Sequence, residues 1–380
     1  MSHCFIICEY NPLHSGHAYQ IRQAKELACG DVICIMSGNV VQRGELAVAD
    51  KYTRAEWAIK AGADMVIELP AVYSLSSAEL FALGAIKIIS RFNEPSYLCF
   101  GCENPDVTAL TRLAKTLTDN SQVDLLTQSN LSRGLSYPQA YSLAVKAVCQ
   151  TNDKDDLANL LDSPNNLLAI EYIKAINKLN LAITPIAIKR QGGYNDLSVA
   201  GEFASASAIR NNLSDKSIIA KYCPPFVYDD LQNYSDCDDR LYSLLSYQLP
   251  RQDLSKICGI KEGIDNRILQ KLDTCHDFSS FLQAVKTKRY PMAYIKRLLL
   301  NALTYNTLTY EELKSQPIEH VNVLAVKEDK KSLLSLFDCA VTTKQSDSYI
   351  LEKTDAQHNA DLLFSSVKYR YRSVMSIVKS

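Results

Sequence analysis

The sequence predicts an α/β fold: a parallel-sheet domain over residues 1–213, followed by a mostly helical domain over 214–380 that ends in a small α+β tail. Three observations carry this expectation. Short β-branched or aliphatic runs alternate with longer helical patterns through the first part of the chain, as strands joined by crossover helices do. Beyond about Ser214 those runs give way to Leu- and Tyr-rich helical patterns as far as about Tyr310. The 380 residues include only 13 Gly and 12 Pro, and no apolar stretch approaches the ~18 residues of a membrane span, which excludes collagen-like, disordered and membrane-spanning classes.

Taken in order, the strands are Cys4 to Cys8, Val32 to Met36, Met65 to Leu69 and Tyr97 to Phe100, separated by helical patterns at 17–29, 50–62 and 76–90. Right-handed crossovers place the carboxyl ends of such strands on one edge, in the manner of a Rossmann-like sheet, and open α/β sheets bind ligands there. The loops of interest are therefore Tyr10 to Gly16, Ser37 to Gly44, Pro70 to Ser74 and Gly101 to Asn104. A helix from Asn165 to Lys178, a strand from Ile183 to Lys189, a Gly-rich loop at Gly192 to Gly201 and a helix opening near Ser205 form the last βα unit. Five aspartates, Asp229, Asp230, Asp236, Asp238 and Asp239, follow the Pro224-Pro225 break and mark a boundary at 214–235. The tail reads as short elements around Val323 to Val326, Asp338 to Thr342 and Lys368 to Arg372.

The formal net charge is -1. Met1 to Glu9 shows neither a basic region ahead of its apolar run nor a small-residue cleavage site, so a cytoplasmic protein is expected. Twelve cysteines in a chain of this kind read as small buried hydrophobes kept reduced. Cys99 and Cys102 form the one C-x-x-C, and without a second pair or a nearby His they read as structural.

Chemistry concentrates where the first strand ends, in Cys8-Glu9-Tyr10-Asn11-Pro12-Leu13-His14-Ser15-Gly16-His17. Two imidazoles three residues apart at a helix start lie on one side, beside free backbone N–H groups and the positive end of the helix dipole. Such a turn is suited to phosphate. Gly16 lets a nucleotide approach the backbone, and His14 and His17 can donate to oxygens that gain charge as the α-phosphorus becomes five-coordinate, so both are expected to be catalytic. No protein nucleophile is required. A plain cap and a surface residue is the other reading of the two histidines; their place in the chain's first βα turn favours the phosphate site.

The pattern resembles the HIGH-type nucleotidyltransferase superfamily and, within it, the bacterial tRNA(Met) cytidine acetate ligases. The resemblance covers Glu9 to His17, Met36 to Glu45, Gly62 to Pro70, Phe100 to Glu103, Ser163 to Leu168, Lys189-Arg190 and Ser205 to Arg210, with a weaker match at Lys288 to Tyr290. It implies a nucleotidyltransferase-like first domain that activates acetate with ATP as acetyl-adenylate, releasing pyrophosphate. The acetyl group then passes to N4 of the wobble cytidine of elongator tRNA(Met), giving N4-acetylcytidine. Matching positions imply ATP contacts from Ile7, Cys8, Glu9, Tyr10, Asn11, Pro12, Leu13, His14, Ser15, Gly16, His17, Ala18, Tyr19, Gln20, Gly101, Asn165 and Arg190. Family members usually carry Ser where this chain has Cys102 and Gly where it has Ala169; neither departure removes a charged or donor group.

The residues support the same chemistry on their own terms. ATP and acetate are both anionic, so the site must gather positive charge, and Arg43, Arg190 and Arg210 can supply it. Ser205 and Ser207 open the helix that carries Arg210, a group suited to the β- and γ-phosphates and the leaving pyrophosphate. Plain N-capping is the other reading of the two serines, and a surface ion pair the other reading of Arg190. Glu9 fits two roles equally, orienting a histidine or a metal, or holding the loop as a hydrogen-bonded carboxylate. Asp64 and Glu68, which flank an apolar strand, read as loop-ordering groups. Mg2+ is expected to accompany ATP, although no carboxylate cluster marks a dedicated metal site.

For RNA the local charge matters more than the total. Residues 214–380 carry 23 Lys and Arg against 21 Asp and Glu, too even a balance to advertise a nucleic-acid domain. Yet Phe278 to Tyr310 contains no acidic residue, while Lys286, Lys288, Arg289, Lys296 and Arg297 interleave with Tyr290 and Tyr294. Cations that track phosphates and tyrosines that stack on unpaired bases suit a tRNA loop. Leu362 to Ser380, with Lys368, Tyr369, Arg370, Tyr371 and Arg372, is a second acid-free stretch. A solvated face with core tyrosines is the other reading of the first stretch and the favoured one of the second. The expected partners are tRNA and acetate, with no membrane and no obligate protein partner. Two rivals stand beside this expectation: a small-molecule adenylyl- or cytidylyltransferase of cofactor synthesis, which the long second domain disfavours, and a non-catalytic nucleotide-sensing RNA-binding protein, which the intact His14 and His17 disfavour.

Overall fold

The computed structural model describes residues 2–118, 120–151, 155–190, 204–232, 234, 236–261, 263–351, 355–368 and 375–378. The first half alternates as expected: β1 (His3–Cys8), α1 (Ser15–Ala28), β2 (Asp31–Ser37), α2 (Lys51–Lys60), β3 (Met65–Leu69), α3 (Ala78–Ile89) and β4 (Ser96–Cys102). Helices at Val107–Leu117, Ser121–Ser132 and Tyr137–Thr151 precede α4 (Pro164–Lys178), which leads into β5 (Ile183–Lys189) and α5 (Ala206–Arg210). The five strands lie in the order β3-β2-β1-β4-β5, all parallel. That order reverses between β1 and β4, and the crevice above such a switch point is where ligands bind.

All residues of β2 and β3 are buried, because helices cover both faces of a parallel sheet and the strands read as continuous apolar runs. Side chains alternate between two cores. Phe5, Ile33 and Ile67 pack with α3 and α4 on one face, and Cys4, Ile6, Cys34 and Val66 with α1 and α2 on the other. A third core, built around Leu245, Ile268, Phe281 and Leu298, holds the helical region together with α6 (Met292–Leu303).

The tail departs from expectation. The strand anticipated near Val323 to Val326 is β6 (His320–Lys327), and instead of staying with the helical region it pairs antiparallel with β3. β7 (Ala340–Thr342) adds to β6, α7 (Ala356–Lys368) packs beneath the loop after β2, and β8 (Ser376–Val378) extends the sheet beyond β6. Change of composition near 214 therefore does not mark the end of the sheet. The physical reason is the edge of β3: Val321 to Val326 are buried throughout, and both ends of β6 are pinned. Asn322 Nδ2 donates to Glu68 Oε2 at 2.6 Å, and Lys327 Nζ meets Asp64 Oδ1 at 2.9 Å. The Gly192 to Gly201 loop and the Tyr369 to Arg372 part of the second basic stretch lie outside the described residues; Lys368 ends α7.

Buried charge ties the tail to the site. Lys51 Nζ, at the start of α2, sits 2.9 Å from Glu68 Oε2 and 2.7 Å from Asp361 Oδ2. Asn39 Nδ2, Gln345 Nε2 and Tyr349 Oη also donate to Asp361, and Gln357 Nε2 to Glu68. Asp64 is held by Lys25, Lys327 and the Val32 N–H, which keep its carboxyl below the usual range although burial opposes them. Asp64 and Glu68 are thus cross-links of the fold.

Candidate active site

A cavity of about 280 Å³ opens over the carboxyl ends of β1 and β4. The β1 to α1 turn forms its floor. His14 is the N-cap of α1, and its Nδ1 accepts from the Gly16 N–H at 3.1 Å, while His17 Nδ1 accepts from the His14 N–H at 3.4 Å. The rings stack at 3.7 Å with 20° between planes, and Tyr10 packs edge-on against His17 at 5.1 Å. A ring whose Nδ1 accepts carries its proton on Nε2. Both imidazoles line the cavity, and Nε2–H is the ring donor that each has left. Burial, reinforced by Arg190 and Arg210, pushes the His14 pKa down to about 3; burial, His14 and Arg190 hold His17 well below its usual value. Both rings are neutral donors at neutral pH.

Two cationic walls flank the histidines. On the β5 side, Arg190 N donates to Cys102 O at 2.9 Å and Arg190 Nη1 to Asn165 Oδ1 at 2.9 Å. Asn165 Nδ2 in turn donates to Glu103 Oε1 at 2.6 Å, which fixes the amide's orientation. A Cβ at Gly101 would come within 3.2 Å of Arg190 Cγ, so the glycine leaves room for that side chain to cross. On the α5 side, Arg210 Nη1 donates to Asn11 O at 2.8 Å, Nη2 to Ser207 Oγ at 3.4 Å, and Nε lies 3.3 Å from Glu45 Oε2. Ser205 Oγ accepts from the Ala208 N–H at 3.0 Å, so the capping reading of Ser205 holds alongside its place in the cavity wall.

The wall nearest the helical region is a short hairpin, Val40–Val41 against Glu45–Leu46. It is seated on α6 by Arg297 Nη1, which donates to Gln42 O at 3.0 Å, and by Lys296 Nζ, 2.8 Å from Glu45 Oε1. Gln42 N donates to Glu9 Oε1 at 2.7 Å. Cys8 is the one thiol among the described lining residues, and burial with the neighbouring Cys34 raises its pKa well above the usual value, so it is no thiolate nucleophile.

A family model described as HIGH Nucleotidyl Transferase matches residues 1–378. The chain belongs to the HIGH nucleotidyltransferase family. Within it, the tRNA(Met) cytidine acetate ligase of Clostridium novyi is 36% identical over 343 residues, spanning 87% of this chain and 85% of that protein. The enzyme of the same name from Clostridium perfringens is 34% identical over 376 residues, 96% of this chain and 92% of that protein. Among solved structures, Thermotoga maritima TmcAL bound with alpha-thio ATP superposes with a TM-score of 0.87 at 26% identity, and its apo form with 0.91 at 27%, each covering 100% of both chains. This member of the family is an ATP-dependent ligase.

Most of the anticipated residues of this HIGH nucleotidyltransferase converge on the cavity. Ile7, Cys8, Glu9, Tyr10, Asn11, His14, Gly16, His17, Tyr19, Gln20, Gly101, Asn165, Arg190, Ser205, Ser207 and Arg210 line it. Pro12, Leu13, Ser15 and Ala18 do not: Leu13 is in the core, and Ser15 Oγ donates to Tyr222 O at 2.9 Å. They support the turn from behind. Of the five cations expected to meet tRNA, Lys286, Lys288 and Arg289 are exposed ahead of α6, where Tyr290 and Tyr294 stack at 5.6 Å. Lys296 and Arg297 are half-buried and engaged with the hairpin.

Sequence reasoning missed three supports. Fully buried Arg54 of α2 donates to Glu9 O at 2.6 Å, Ser37 O at 3.1 Å, Ala49 O at 2.9 Å and Gly38 O, gathering the loops after β1 and β2. An arginine sharing its helix face with Trp57 and Ala58 was the available signal, blurred by Lys51 one turn before it. Glu103, two residues past the expected Gly101, accepts from Asn165 and so orients the amide that meets Arg190. Phe81, Leu168 and Tyr172 form the cavity's apolar wall from helices whose pattern reads only as core.

Proposed function

We propose that the protein activates acetate with ATP as acetyl-adenylate, releasing pyrophosphate, and transfers the acetyl group to N4 of the wobble cytidine of elongator tRNA(Met). The observation that carries the reading is the pair of neutral imidazoles, each with Nδ1 committed to the backbone, that line a cavity rimmed by arginines. Donors fixed in advance at the position where phosphoryl oxygens gain charge stabilise the transition state without reorganising. The names of the curated relatives and the ATP analogue in the Thermotoga maritima structure support the substrate assignments.

The chemistry follows from the walls. An acetate oxygen attacks the α-phosphorus while His14 and His17 donate to its equatorial oxygens, and Arg210 with Ser207 takes the departing pyrophosphate. None of the described residues that line the cavity is an activated side-chain nucleophile. Among the described residues no three His, Cys, Asp or Glu groups gather to hold a metal ion, and Mg2+ would be carried by the triphosphate itself. Lys286, Lys288 and Arg289 offer the tRNA contacts, and the cytosine amine reaches the acyl carbon from the hairpin side.

Labelled pyrophosphate exchange into ATP, with and without acetate, tests the first half-reaction. Mass spectrometry of tRNA nucleosides after incubation with ATP and acetate tests the second. Exchange driven by a phosphorylated metabolite and indifferent to acetate overturns the proposal in favour of a small-molecule nucleotidyltransferase.

A further inference from the structure

One group in the cavity is not explained by binding ATP and acetate. The described lining carries four cations, Arg43, Lys189, Arg190 and Arg210, and a single carboxylate, Glu9. A carboxylate facing two anionic substrates opposes their binding, so its presence calls for another use. Glu9 Oε1 is committed to the Gln42 N–H at 2.7 Å, while Oε2 accepts no hydrogen bond from the described residues. The Gln42 carbonyl is in turn held by Arg297 of α6 at 3.0 Å. Glu9 therefore stands on the side of the cavity braced by α6, the helix approached by the exposed Lys286, Lys288 and Arg289.

We propose that Glu9 is the general base of acetyl transfer, its Oε2 taking the proton that the acceptor amine releases. The inference rests on the two-step reading above. The lone pair of the cytosine N4 attacks the acyl carbon of acetyl-adenylate. The bond from that carbon to the phosphate oxygen breaks, and its electron pair leaves with AMP. One N4–H proton passes to Glu9, which later gives it to solvent, so acetylated base, AMP and one proton account for every atom. The charged and titratable groups facing Glu9 are Arg43 of the hairpin, Arg54 of α2, Arg210 of α5, Arg297 of α6 and Tyr172 of α4. Burial outweighs the cations and raises the Glu9 pKa, which makes it a better proton acceptor than an ordinary carboxylate.

The test separates the half-reactions. Single-turnover transfer from preformed acetyl-adenylate to tRNA and acetate-dependent pyrophosphate exchange are both measured between pH 5 and 9, in the wild type, Glu9→Gln and Glu9→Asp. The expected result is that Glu9→Gln lowers transfer about 100-fold more than it lowers exchange, that wild-type transfer rises with pH through one ionisation missing from the residual Glu9→Gln rate, and that Glu9→Asp restores part of the transfer. Equal loss of both half-reactions in Glu9→Gln, exchange rescued by raised Mg2+, or an unchanged pH profile in Glu9→Gln overturns the proposal. Absence of acetate-dependent exchange in the wild type overturns the two-step reading and this inference with it; a failure confined to Glu9→Gln strikes the inference alone.

Discussion

Replacing Gly44 with Ala tests how the hairpin is seated. Gly44 has φ +75°, and a Cβ built on it lies 2.4 Å from Arg297 N and 2.6 Å from the Lys296 carbonyl carbon, both backbone atoms of α6. Two costs add. A side chain in the left-handed region costs about 1–2 kcal/mol. Reaching ordinary packing distance requires the hairpin and helix to part by about 1 Å, and forced overpacking of that kind costs about 1–3 kcal/mol. Gly44→Ala should therefore lower stability by about 2–5 kcal/mol, seen as an earlier urea midpoint at unchanged slope. Acetyl transfer should fall with it, because the Arg297 to Gln42 and Lys296 to Glu45 contacts that hold the cavity wall are the ones displaced. A variant that melts and transfers like the parent would refute the claim that this contact sets the hairpin's position.

Three further outcomes are expected. Lys51→Met leaves Glu68 and Asp361 buried without their cation and should cost about 3–5 kcal/mol at pH 8. Burial already raises the Glu68 pKa despite Lys51, and removing the cation raises it further; a carboxylate that binds its proton more readily folded than unfolded adds stability as pH falls from that raised value towards 4.5. Urea melts at pH 8 and pH 5 should show the loss shrinking at pH 5, and an equal loss at both would count against charge as its cause. His17→Ala should lower acetate-dependent pyrophosphate exchange by about 100- to 1,000-fold, the effect of losing one oriented donor; near-parental exchange would remove His17 from the chemistry. Reversing Lys288 and Arg289 to Glu should weaken tRNA binding and make the log–log salt dependence shallower by about 1.4, two contacts at about 0.7 each on single-stranded RNA. A filter-binding titration at several salt concentrations reads the slope, and an unchanged one would move the RNA surface elsewhere.

What could be read from the sequence was what is local. Strands β1 to β5 announce themselves as apolar runs between helical patterns, and the β1 to α1 turn carries its chemistry in consecutive residues. The missing parts depend on residues that meet only after folding. Val321 to Val326 reads as a strand, yet nothing within it tells which edge it will cover; that is set by β3 and by pins such as Asn322 to Glu68. Lys51 and Asp361 are 310 positions apart, so neither signals a buried pair. Charge pattern alone grouped Lys296 and Arg297 with Lys288 and Arg289, although the first two lie within α6 against the hairpin and the others precede the helix and stay exposed. Ser205 shows the opposite case, where a capping role and a place in the cavity wall are both true.

The position of β6 bears on how the enzyme is made. A ribosome must deliver most of the polypeptide before residues 320–327 are available to cover the flank of β3. Until then the nascent chain exposes an unpaired strand, open to another chain or to a chaperone. A premature stop in the helical region would yield an adhesive fragment rather than a smaller working ligase.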